Sequence, residues 1–110
     1  MDNAVLNVKL VQPSERYKTS YIDYIRELDN EERYPFTMDF DHSDFNHLLK
    51  KLSDFSNGTN LPEGFVPSST WWLLHDNELI GVSNLRHFLT ETLEYCGGHI
   101  GLGVRPSFRN

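Results

Sequence analysis

At 110 residues the chain has room for one hydrophobic core and stays below the length at which chains divide into domains. Hydrophobic residues make up 38% and aromatic residues 13%, enough apolar surface to offset chain entropy, which excludes disorder throughout. Ten basic residues stand against sixteen acidic ones, for a net charge of −6, and the basic ones are scattered, so neither nucleic acid nor an anionic membrane is an expected partner.

Cys96 is the single cysteine, so the chain can build neither an internal disulfide framework nor a cysteine zinc site, and a reducing, cytoplasmic location is expected. The opening Met1-Asp2-Asn3-Ala4 has no positive n-region or apolar run, and no stretch approaches the roughly 18 apolar residues of a membrane span. Asn57-Gly58-Thr59 fits a glycosylation sequon but, without a secretory signal, reads as a turn.

The first expected element is a strand over Val5 to Val11, ending at Pro13. Ser14 then reads as an N-cap, and Tyr17, Tyr21, Ile25 and Leu28 recur at helical spacing up to the polar break at Asp29-Asn30-Glu31-Glu32. Tyr34-Pro35-Phe36 is expected to be extended, because the residue before a proline is pushed out of the helical region. A second helix follows, capped by Asp41 or Ser43, with Phe45, Leu48, Leu49, Leu52 and Phe55 on its buried stripe. Asp39 to Asp44 vaguely resembles a calcium loop. It has Asp44 where that loop needs its glycine and Lys50 where it needs its glutamate, so helix capping is the better reading and no metal is expected.

Ser56 to Ser69 holds Gly58, Pro62, Gly64 and Pro67, which predicts a long loop. Thr70 to His75 reads as a strand, Asp76-Asn77 as a tight turn, and Glu78 to Phe88 as the returning strand of a hairpin. Trp71 and Trp72 point to opposite faces, and the core takes at least one of them. A last strand runs from Glu94 to Arg105, antiparallel to its predecessor across Thr90-Glu91-Thr92. The expected fold class is α+β, a mainly antiparallel sheet with two N-terminal helices, in the order β-α-α-β-β-β and in one domain over residues 1–110.

In the last strand Ile100, Leu102 and Val104 point to one face, while His99, Gly101 and Gly103 point to the other. Glycine at two successive positions of one face strips it of side chains. This pattern predicts either a bulge or the close approach of a ligand or another backbone, and Gly97-Gly98 upstream adds to the bulge reading.

The run Ile100-Gly101-Leu102-Gly103-Val104-Arg105-Pro106-Ser107-Phe108-Arg109-Asn110 resembles the start of the acetyl-coenzyme A motif of GNAT-superfamily N-acetyltransferases. In that motif an apolar strand and a short proline-containing link lead to an Arg/Gln-x-x-Gly-x-Gly/Ala turn and a helix. Asn84-Leu85-Arg86-His87 looks like the preceding strand of one bacterial subgroup. The resemblance implies the N-terminal half of an acyl-CoA N-acyltransferase fold, with acetyl passing from acetyl-CoA to an amine and no covalent enzyme intermediate. It places Leu102, Gly103 and Val104 against the pantetheine and thioester, and Arg109 and Asn110 at the opening of the pyrophosphate turn, where a helix N-terminus favours phosphate. It offers Glu94, or alternatively His99, as the deprotonating group, each of which also reads as an ordinary strand residue. Arg86 or His87 would meet the small-molecule or peptide amine acceptor, Arg86 if the acceptor is acidic, since the two stand on neighbouring faces.

The sequence departs from the motif by stopping before its glycines, so this chain is expected to be incomplete and inactive alone. The segment from Gly97 to Val104 is then an exposed edge through which a homodimer can form. The alternative reading is a non-catalytic binding or interaction module derived from the acceptor-side half of the fold.

Overall fold

A computed structural model describes residues 8–87 and 100–109. The chain runs β1 (Val8–Val11), a 3-10 turn (Glu15–Tyr17), α1 (Lys18–Leu28), a second 3-10 turn (Phe36–Asp39) and α2 (Phe45–Asn57). It continues through β2 (Ser68–His75), β3 (Glu78–Arg86), β4 (Ile100–Val104) and a third 3-10 turn (Pro106–Phe108).

The helices form where apolar residues recur at helical period. In α1 the buried residues are Tyr21, Tyr24, Ile25 and Leu28, and the chain turns out at Asp29, whose φ is 48°. In α2 they are Phe45, Leu48, Leu52 and Phe55. Asp44 caps α2, accepting from the His47 N–H at 3.2 Å, and Gly58 ends it in the left-handed conformation at φ 75°, which a glycine enters without a Cβ clash.

The strands form an antiparallel meander in the spatial order β1-β2-β3-β4. Asp76 and Asn77 make the β2–β3 turn at φ 51° and 69°, the pair of positive values that suits the twist of a two-residue hairpin. Both helices cover one face. There Trp72, Leu74, Leu79 and Val82 meet the helical stripes, and Tyr21 stacks on Trp72 with ring centroids 5.1 Å apart. Each such fully buried side chain contributes roughly 1.5–3 kcal/mol. Asn84 is buried on this face too and donates to Ser68 Oγ at 3.0 Å and Thr70 Oγ1 at 3.1 Å. On the other face Leu10, Ile100 and Leu102 remain exposed.

The α+β class, the antiparallel sheet and the two helices are as expected, and several details are not. Ser14 caps the 3-10 turn ahead of α1 rather than α1 itself. Asp44, not Asp41 or Ser43, caps α2; Asp41 instead accepts from the Ser43 N–H at 2.9 Å in a local turn. The loop is shorter than expected at both ends, because α2 continues to Asn57 and β2 starts at Ser68. Among the described residues the register shift falls in the β2–β3 pair, where Leu73 and Leu74 face Gly81 and Leu79 and Ile80 is the extra residue, whereas β4 pairs with β3 in unbroken register through Gly101 and Gly103. The expected first part of β1, the 90–92 connection, the early part of the last strand and Cys96 lie outside the described residues.

Candidate functional site

The backbone of β4 bonds to β3 on one side and, among the described residues, meets no further strand on the other. Arg105 N–H donates to the Ile80 carbonyl at 2.8 Å, so by strand alternation Gly101 and Gly103 also direct their polar groups at β3. Leu102 and Val104 direct theirs outward, because β4 is the last strand of the sheet. A strand edge of this kind is a ready template for an extended amide-bearing chain.

That edge borders a groove of about 350 Å³. Leu102, Gly103 and Val104 form one wall, Tyr24 and Leu28 of α1 another, and Glu32, Tyr34 and Arg109 complete it. Arg109 spans the end of the groove: its Nε donates to the Val104 carbonyl at 2.9 Å and its Nη2 lies 3.0 Å from Glu31. Burial, partly offset by Arg109 and Arg105, pushes the Tyr24 hydroxyl up to about 12, so it stays protonated at neutral pH.

The glycines of β4 serve the chain itself. The segment Tyr34-Pro35, joined by a cis peptide bond, lies across them on the helix-covered face. A Cβ at Gly103 would overlap the Tyr34 carbonyl, and one at Gly101 would come within 3.2 Å of both Pro35 Cβ and the Tyr34 hydroxyl. Of the two readings of the glycine spacing, close approach by another backbone is found at Gly103, and the described residues of β4 carry no bulge. The approaching backbone is Tyr34.

Beyond β4 the chain is tied to α1 and β3. Arg105 is buried and donates from Nε to Glu27 at 2.7 Å and from Nη1 to Glu78 at 2.8 Å and to the Leu79 carbonyl at 3.3 Å. Ser107 adds its backbone N–H, 2.9 Å, and hydroxyl, 3.0 Å, to the same Glu27 carboxylate. Burial opposes ionisation of Glu27, but the Ser107 amide, the Arg105 guanidinium and the Ser107 hydroxyl outweigh it and hold the carboxyl below its usual range. The turn carrying Arg109 is therefore fixed to the frame.

Leu102, Gly103, Val104 and Arg109, all named from the sequence, meet in this one groove. Glu94, His99 and Asn110 lie outside the described residues. Arg86 and His87 go separate ways, as neighbours on a strand do. The Arg86 guanidinium lies 5.9 Å from the Phe36 ring centroid, and His87 Nε2 is 2.8 Å from Ser69 Oγ. Tyr24, Glu32 and Tyr34 were not anticipated; the signal for Tyr34 was the side-chain-free face at Gly101 and Gly103, which something had to fill. Among the described residues no cluster of His, Cys, Asp or Glu is arranged to hold a metal ion, and no helix is long and apolar enough to cross a membrane. No family model matches the sequence, and no curated protein or solved structure matches it significantly.

Proposed function

We propose that the chain is the N-terminal half of a GNAT-like N-acetyltransferase fold and that the β4 groove receives acetyl-CoA, from which acetyl passes to an amine. The observation that carries this reading is the meeting of Leu102, Gly103, Val104 and Arg109 along an open strand edge. The groove fits the chemistry expected of it. The outward N–H and C=O of Leu102 and the outward N–H of Val104, whose carbonyl is taken by Arg109, suit the amides of a pantetheine arm, while the apolar sides of Tyr24 and Leu28 suit its methylenes. Arg109 stands at the end where a pyrophosphate would lie, and a phosphate there would take the place of Glu31 on its guanidinium.

The reaction requires an unprotonated amine to attack the thioester carbonyl, forming the C–N bond as the C–S bond breaks and the thiolate leaves. Glu94 and His99 remain the proposed proton acceptors, on the strength of the motif alone. The edge groups of Leu102 and Val104 would also serve the same strand of a second copy, so coenzyme binding and homodimerisation through β4 compete in this reading.

The test is an NMR titration of the chain with acetyl-CoA. Shifts at residues 102–104 and 109, saturating below about 1 mM, are expected. No perturbation there, with light scattering showing a monomer, would remove the coenzyme reading and leave a binding module without a transferase role.

A further inference from the structure

Ser69 and His87 form a hydrogen-bonded pair beside a second cavity, and we propose that Ser69 is a nucleophile that hydrolyses esters of short, uncharged acyl groups, with His87 as its base. The inference stands apart from the coenzyme reading, since it uses β2 and α2 rather than the edge of β4.

Ser69 lies near the start of β2 and His87 one residue past the end of β3, and the antiparallel pairing brings them together. Ser69 Oγ is 2.8 Å from His87 Nε2 and 3.1 Å from Ser56 Oγ in the last turn of α2. A serine hydroxyl has one hydrogen to give. With the imidazole hydrogen on Nδ1, Ser69 gives that hydrogen to His87 Nε2, and Ser56 is then the donor of the other bond. Two directional bonds hold Ser69 Oγ in one place, with its base within hydrogen-bond reach, which is what an activated hydroxyl nucleophile requires. His87 is itself anchored through its backbone, whose N–H donates to the Pro67 carbonyl at 2.9 Å.

The same backbone bond sets the direction of the neighbouring amides. Because His87 bonds to Pro67, alternation along the strand pair points Ser69 and Trp71 at β3 and Thr70 away from it. On that far side β1 pairs with β2 only as far as Val11, opposite Trp72. Two residues further on, Pro13 stands where β1 would have met Thr70, so among the described residues no strand takes up the Thr70 N–H. It is the amide that follows the proposed nucleophile, a position from which a backbone N–H can stabilise the oxyanion of acyl transfer.

Ser69, Thr70 and Pro13 all border a cavity of about 320 Å³ between α2 and β2. Leu49, Leu52 and Trp71 give it an apolar wall, and none of its lining residues is charged. A volume at the low end of the roughly 300–1,000 Å³ of small-molecule sites, with no charge on its walls, suits a short neutral acyl group. In the reaction Ser69 Oγ bonds to the ester carbonyl carbon as its proton passes to His87; the bond to the alcohol oxygen then breaks, and His87 returns the proton to that oxygen. Water attacks the acyl-serine, His87 again taking the proton and passing it to Ser69 Oγ as that bond breaks, which releases the carboxylic acid. His87 is exposed, so water reaches it without crossing the cavity.

The experiment treats the full chain with an alkyl fluorophosphonate and, separately, with p-nitrophenyl butyrate. Peptide mass mapping is expected to find the phosphonyl group on Ser69, and the butyrate ester to be hydrolysed faster than by buffer alone. Ser69→Ala should remove both reactions, and His87→Gln should slow both about 100-fold with its circular dichroism unchanged. A native chain left unlabelled at Ser69, or labelled on Ser56 instead, overturns the inference whether or not the variants fold. So does Ser69→Ala that hydrolyses the ester as fast as the native chain, or His87→Gln that is labelled at the native rate. Neither probe contains coenzyme A, so failure here leaves the reading of the β4 groove untouched.

Discussion

The Tyr34 carbonyl lies against the Cα of Gly103, in the space that any larger residue would need for its Cβ. The neighbour is backbone and cannot swing aside. Gly103→Ala should therefore lift Tyr34-Pro35 off β4 and cost about 1–3 kcal/mol in chemical denaturation. Gly101→Ala should cost less than about 1 kcal/mol, because part of what its methyl meets is the mobile end of the Tyr34 side chain. Tyr34→Ala should relieve Gly101→Ala but not Gly103→Ala, since the alanine retains the carbonyl. Equal costs at the two glycines would contradict this account.

Asn84 is the polar centre of the helix-covered sheet face. Its amide serves Ser68 Oγ and Thr70 Oγ1, both on buried residues, so Asn84→Ala leaves two hydroxyls without their donor and should cost about 1–3 kcal/mol. Adding Ser68→Ala and Thr70→Val removes the stranded groups and should return part of that loss. A triple variant less stable than Asn84→Ala would show that the hydroxyls have other partners.

How far the sequence could be read depended on the range of the interaction. Strongly periodic stripes such as Phe45, Leu48, Leu52 and Phe55 specify a helix locally, and Asp76-Asn77 specifies a hairpin turn within two residues. Caps were harder to place, because Asp41, Ser43 and Asp44 are all competent and the choice falls to whichever backbone N–H the last turn of loop presents. The groove was half legible. The β4 residues could be picked out by their resemblance to a known motif, but Tyr24, Glu32 and Tyr34 reach the groove only through packing of α1 and the segment after it, contacts some 70 residues distant in sequence. Glu27 with Arg105, 78 residues apart, is the same case: nothing near either residue announces the other.

That pair sets a pH dependence. Glu27 has a folded pKa below its ordinary 4.5, so its contribution to stability is complete above about that pH and is lost as the pH falls through the folded value. Native protein should lose stability more steeply below about pH 4.5 than Glu27→Gln, while at pH 7 the variant should be less stable by about 1–3 kcal/mol, since Arg105 keeps only Glu78 and a carbonyl. Midpoints of urea unfolding between pH 3 and pH 7 give the comparison. Parallel curves for the two proteins would mean that Glu27 is not the group responsible.

The open side of β4 allows the coenzyme reading to be separated from a folding defect by a single atom. Leu102 directs its N–H away from β3, and proline is tolerated on an edge strand where that N–H faces outward. Leu102→Pro should therefore keep the sheet, as judged by circular dichroism and by retained protection of the Arg105 N–H, which bonds to Ile80. On the proposed function the same change deletes one of the donors offered to the pantetheine amides, so acetyl-CoA should bind about tenfold more weakly, the loss of one hydrogen bond. Gly103→Pro is the opposite case. It removes a donor that faces β3 and places a ring against the Tyr34 carbonyl, so it should disrupt the sheet itself. If Leu102→Pro keeps its fold and binds acetyl-CoA as tightly as the native chain, the outward edge of β4 is not where the coenzyme lies.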